Sequence, residues 1–253
     1  MKHFSRFLVA ALTLPLLLAP GAFAAEQIGK ALAITVTVSG DNGILRASSP
    51  IHRDERIRAS NSGTGQFEFR DGSKLAVGPN SSLVLDRSIF AGDSSFQSLT
   101  LKATRGTFRW VSGTSKSSAY KINTPFGTLG VRGTVVDVYV GSSTAAVAIL
   151  EGHATFCGND GTCKRLERGC DFVRANRKGL MDVETEPKTA VKGVRNEVSF
   201  PFLMGTQKLS KPFQVGGGRC GLSASVRNFG KAKGGEGGGT LGGVGDDPRG
   251  PVD

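Results

Sequence analysis

Thr124-Pro125-Phe126-Gly127-Thr128-Leu129-Gly130-Val131-Arg132-Gly133-Thr134 runs straight into Val135-Val136-Asp137-Val138-Tyr139-Val140, and this stretch decides how the chain is read. Pro125 fixes one backbone angle and holds the preceding residue extended. Glycines at 127, 130 and 133 let the backbone bend or be approached closely. The valine-rich run that follows favours a strand. Turn chemistry therefore feeds a buried strand. A phosphate-cradling loop does not fit, because it needs a helix N-terminus next in the chain.

Working outward, the same device recurs. Leu32, Ile34, Val36 and Val38 alternate with smaller or polar residues, and Ser39-Gly40-Asp41-Asn42-Gly43 closes that strand with turn residues. Residues 51–58 are mostly charged and read as exposed connection or weak strand. Phe67 and Phe69 alternate before Asp71-Gly72, a hairpin signal, and Leu75 and Val77 alternate beyond it. Leu83/Leu85, Leu99/Leu101, Phe108/Trp110 and Tyr120/Ile122 continue the pattern. Short strands punctuated by turns define an all-β chain, which a sandwich, a roll or a solenoid would satisfy. The units Gly65–Phe69, Gly106–Trp110 and Gly152–Phe156 give modest support to stacked rungs.

The opening stretch is similar to the core motif of the FecR domain family, roughly T-P-x-G-x-x-x-V-R-G-T before an apolar strand. Thr124, Pro125, Gly127, Val131, Arg132, Gly133 and Thr134 carry the match. Upstream, Asp71-Gly72-Ser73-Lys74-Leu75-Ala76-Val77-Gly78-Pro79-Asn80-Ser81 resembles the family's D-G-S-x-L-x-L-x-P-x-S segment. Downstream, Val147–Ala154, with Glu151 and Gly152, resembles its V-x-V-L-E-G-x-V segment. The resemblance implies a periplasmic all-β domain of short β-solenoid or roll type, acting in binding or signalling rather than catalysis. Family members that relay a transporter's signal to a sigma factor need a cytoplasmic anti-sigma segment and a membrane span. Both are missing from this reading, so the relay does not carry over whole.

Lys2 and Arg6, an apolar run from Phe7 to Ala19 and then Ala22-Phe23-Ala24 read as a cleavable signal peptide, with cleavage expected after Ala24. The run is too short to span a bilayer. The expected parts are a signal peptide at 1–24, an N-terminal strand and connection at 25–64 and the FecR-like domain at 65–175. An extension at 176–227 packs on that domain, its residues 198–215 as extended chain, and a disordered Gly-rich tail at 228–253 follows. Four cysteines in an oxidising compartment suggest two disulfides. Cys157 and Cys163 flank a Gly/Asn/Asp hairpin loop, which leaves Cys170 for Cys220, although the other two connectivities stay open. The intervals lack a C-x-x-C pair, which disfavours a zinc site.

The net charge of +11 falls to +9 without Lys2 and Arg6. Lys164, Arg165, Arg168, Arg174, Arg177 and Lys178 form the densest basic patch, a solvated rim or a site for an anionic partner. His52 and His153 lack partners at metal or triad spacing. No hydrolase elbow, zinc-protease, nucleotide-binding or paired RNA-binding motif is present, so the reading contains no enzyme, cofactor, metal or nucleic acid. Arg132, set among residues built for burial, is expected to pair with Glu151, or else with Asp137, and to clamp adjacent strands. The functional expectation is an envelope protein-interaction or signalling module; the alternative is a protein that binds cell wall or polysaccharide.

Overall fold

The computed structural model describes residues 25–92, 94–216 and 218–224; the expected signal peptide and the Gly-rich tail beyond Asn228 lie outside them. The early strands are β1 (Gln27–Thr35), β2 (Val38–Gly40), β3 (Gly43–Ile44), β4 (Pro50–His52), β5 (Arg56–Ala59), β6 (Thr64–Phe69), β7 (Lys74–Val77) and β8 (Ser82–Phe90). Three long strands follow around a short one: β9 (Phe96–Val111), β10 (Tyr120–Thr124), β11 (Gly127–Val140) and β12 (Thr144–Gly158). The set closes with β13 (Cys163–Leu166), β14 (Asp171–Asn176), β15 (Gly179–Leu180) and β16 (Glu184–Thr185).

All these strands join one open, branched sheet, and every pairing is antiparallel except that of β9 with β10. The sheet doubles over because β9, β11 and β12 each pass through two sets of neighbours. The first leaf runs β3-β2-β5-β8, then the early half of β9, then β10, the early half of β11, the late half of β12 and β13. The second leaf runs β4-β1-β6-β7, then the late halves of β9 and β11, the early half of β12 and β14, to which β15 and β16 add. Gly106 (φ +98°) bends β9 between its two sets of partners.

The core fills the space between the leaves. Phe67, Leu75, Phe108, Trp110 and Val136 from the second leaf meet Leu83, Leu99, Ile122, Leu129 and Phe156 from the first. Each such side chain contributes about 1.5–3 kcal/mol by leaving water. The second leaf is covered on its outer face as well. There Val135, Ala146, Ala148 and Phe172 pack against Phe200, Leu203, Met204 and Leu222, while Ala76 meets Phe202 and Phe213. This explains why Ala145–Leu150 is apolar without alternation: both of its faces are buried.

Four sequence expectations change. Leu99/Leu101 and Phe108/Trp110 belong to one 16-residue strand, not two short ones, because Gly106 bends the chain without ending it. The three glycine-led units are not stacked neighbours. The first pairs with β1 and β7, the second with β7 and β11, the third with β11 and β13, so rung stacking has no support here. Residues 51–58 hold two short strands whose Ile51 and Ile57 lie in the core. The extension is not extended chain: it makes helical turns α1 (Asn196–Ser199) and α2 (Pro201–Met204), plus a tighter turn at Lys211–Phe213. Pro201 starts α2, where its missing N–H costs nothing, and Gly205 ends it in the left-handed region.

Candidate functional site

Each motif residue can be followed to its task. Thr124 and Gly127 bracket the two-residue β10–β11 turn, Pro125-Phe126. Thr124 Oγ1 donates to the Gly127 carbonyl at 2.9 Å and accepts the Phe126 N–H at 3.2 Å. Val131 is buried in the core. Past Arg132 the ladder slips: Arg132 lies opposite His153, and Val135 opposite Glu151, so Gly133 and Thr134 together face Gly152. This bulge turns β11 from one leaf to the other. Gly133 (φ +56°) and Gly152 (φ +78°) are in such close contact that a Cβ on Gly152 would lie 2.0 Å from the Gly133 carbonyl oxygen. Thr134 then satisfies the backbone groups that the bulge releases. Its Oγ1 accepts the Arg132 N–H at 2.8 Å and donates to the His153 carbonyl at 2.7 Å, and its N–H donates to Ser112 Oγ at 3.1 Å.

The carboxylate pairing expected of Arg132 is not made. Alternation along β11 sends Val131 inward and Arg132 out to solvent, Glu151 is exposed too, and no ion pair among the described residues joins them. Asp137 is engaged elsewhere, by Arg109, which the sequence reading did not single out. Arg109 Nε and Nη2 donate to the two Asp137 carboxylate oxygens at 2.6 and 2.7 Å, and Nη1 donates to the Phe213 carbonyl at 3.2 Å. Burial opposes the guanidinium's charge, but the attraction and hydrogen bonds of Asp137 prevail and hold its pKa above the ordinary value. The pair lies under the C-terminal segment on the outer face of the second leaf. Its signal was phase: Arg109 and Asp137 sit opposite in register, out of phase with Phe108, Trp110, Val136 and Val138.

The upstream motif anchors the other turns. Buried Asp71 accepts from the Ser73 N–H at 3.0 Å, from Ser73 Oγ at 2.5 Å, from Ser115 Oγ at 2.7 Å and from the Tyr120 hydroxyl. Burial first, and the bond to Asp71 second, push the Tyr120 phenol up to about 12. Ser81 Oγ accepts the Thr107 N–H at 2.9 Å and donates to the Thr107 carbonyl at 3.1 Å, fastening the bend at Gly106.

These anchored turns border a cleft of about 600 Å³. Gly106 and Thr107 of β9, Pro125-Phe126 and Tyr139–Ser142 form one wall; Glu197, Val198, Pro201 and Thr206 of the C-terminal segment form the other. Its surface is mostly apolar. Val198 is 48% exposed at the rim, and the Thr107 hydroxyl is buried in the wall without a hydrogen-bond partner. Burial raises the Tyr139 phenol pKa. The cleft suits an apolar side chain or short segment with a few hydrogen-bonding groups.

Both expected disulfides form, Cys157–Cys163 across its hairpin and Cys170–Cys220 tying the C-terminal segment to the sheet. The basic patch is partly neutralised: Lys164 pairs with Asp182 at 2.9 Å, Arg168 with Asp171 at 3.7 Å and Arg174 with Glu184 at 2.7 Å. Those pairings favour the solvated rim. His52 Nδ1 lies 3.5 Å from Glu55 Oε2, His153 is exposed on β12, and no cluster of three metal-ligating residues occurs among the described residues. No helix among them is long and apolar enough to cross a membrane.

The strands define an all-β domain with one apolar cleft described above. Residues 55–155 match the family model described as FecR protein, the family that the motifs resemble. No curated protein matches the chain closely. Two crystal structures of a "putative anti-sigma factor" from Parabacteroides distasonis ATCC 8503, at 2.50 and 1.65 Å resolution, are 14% identical to it, with TM-scores of 0.42 and 0.41. Each alignment covers 53% of this chain and 60% of the other.

Proposed function

We propose that the chain is a non-enzymatic, periplasmic protein-interaction module with a signalling or regulatory role, exported by its N-terminal signal. The FecR match over residues 55–155 is the observation that carries this reading, because the family is regulatory rather than catalytic. Two disulfides are consistent with export. The motif residues support the reading in a second way: Thr124, Thr134, Asp71 and Ser81 use their polar groups to hold turns and bends. The doubled sheet is roll-like in this view, and the cleft under the C-terminal segment receives the partner.

Binding to an anionic wall polymer is the second reading, favoured by unpaired cations on the first leaf. Crosslinked capture from the envelope separates the two. Retention of one outer-membrane protein at high salt supports a protein partner through the cleft; salt-sensitive retention of wall polymer supports the second reading.

A further inference from the structure

The outer face of the first leaf carries a file of cations that no motif explains. Strand alternation turns Ile57, Leu101, Ile122, Leu129, Val131 and Phe156 into the core, so Arg56, Arg58, Lys102, Lys121, Arg132 and Arg165 face solvent. Lys102 pairs with Asp86 at 2.6 Å. Among the described residues the other five make no ion pair, unlike Lys164, Arg168 and Arg174 of the rim.

Register gives the file its direction. Arg56 is level with Val84 and Lys102, and Lys102 with Asn123. Lys121 is level with Thr100 and Gly130, two positions before Arg132, and Thr155 is level with both Gly130 and Arg165. Lys102, Lys121 and Arg132 thus step obliquely across β9, β10 and β11, while Arg56 stands level with Lys102 and Arg165 level with Lys121. Strands about 4.8 Å apart and outward residues about 7 Å apart along a strand set the steps from Lys102 to Lys121 to Arg132 at about 8 Å. Asn123, Thr128 and Thr155 supply hydroxyl and amide groups between them.

We propose that this face binds a linear carboxylated polysaccharide lying along the file. The oblique steps from Lys102 to Lys121 to Arg132 give a chain a direction across the strands, and Arg56 and Arg165 flank it. Guanidinium groups engage carboxylates in paired hydrogen bonds, and the hydroxyls between them match sugar hydroxyls. No Phe, Tyr or Trp ring is exposed among the described residues, which disfavours a base-stacking surface. The inference rests on the wall-polymer reading and moves its site onto the first leaf, which shares only Arg165 with the 164–178 patch.

Polygalacturonate binding to the whole protein, titrated by calorimetry at graded salt, tests it. A Lys121→Ala/Arg132→Ala/Arg165→Ala variant with unchanged melting temperature is compared with an Arg177→Ala/Lys178→Ala control from the rim. The triple variant is expected to bind about tenfold or more weakly, with a shallower salt dependence, while the control binds as wild type. Undiminished binding by the triple variant, or equal loss in the control, overturns the site and leaves the wall-polymer reading standing. Wild-type protein that ignores polygalacturonate, or binds only polyphosphate or anionic vesicles, overturns the carboxylated polysaccharide as the occupant, and failure to retain wall polymer from the envelope overturns the wall-polymer reading as well.

Discussion

Thr134 illustrates what single residues of the motif do. Its hydroxyl serves one N–H and one carbonyl that the bulge leaves without ladder partners. Thr134→Val keeps the shape and strands both groups, so it is expected to destabilise the fold by about 1–3 kcal/mol, read as a lower urea midpoint at unchanged slope. Arg132→Ala removes an exposed side chain with no ion pair and is expected to change stability by less than about 0.5 kcal/mol. Burial had been inferred for Arg132 from its apolar neighbours, but alternation alone already placed it opposite to Val131. Tyr120 supplies a pH test. Its folded pKa of about 12 exceeds the ordinary 10.0, so the stability it contributes is present below pH 10 and is lost as pH rises towards 12. Ultraviolet titration should show the raised phenol, and Tyr120→Phe should flatten the alkaline loss of stability; an ordinary phenol titration would contradict the assignment.

Among the elements, the bends govern the architecture. Gly133 and Gly152 cross where β11 and β12 change leaf, and only a missing Cβ lets those backbones touch. Gly152→Ala is expected to cost about 2–4 kcal/mol through strain and collision. Gly130→Ala meets nothing nearer than the Thr155 carbonyl oxygen at 4.0 Å and should cost less than about 1 kcal/mol. Thermal melts of the two variants check the contrast; equal losses would refute it. The alternations made the strands legible, and the T-P-x-G turn was readable from Pro125 and Gly127. Strand length was not, because a glycine with positive φ bends a strand as readily as it ends one. The helical turns at 196–204 were hidden by their brevity: four residues carry no helical period.

At the scale of the whole molecule, the C-terminal segment decides what remains exposed. It covers the outer face of the second leaf, encloses the Arg109–Asp137 pair and supplies one wall of the cleft. Its apolar residues placed the segment on the domain but not on a particular face, since Phe200 and Phe213 lie far along the chain from the strands they protect. The cysteines did point to it, because the Cys170–Cys220 bridge was readable as a tie between a late segment and the sheet. The cleft was not readable: its lining comes from six separate stretches, and none carries a motif for binding. A photo-crosslinking residue in place of Val198, at the cleft rim, tests the claim of a protein-docking module most directly. The comparison position is Met181, 42% exposed and outside the cleft. One discrete, salt-insensitive adduct with a single envelope protein from position 198, and none from 181, is the predicted result; no adduct from 198, or identical adducts from both, would contradict it.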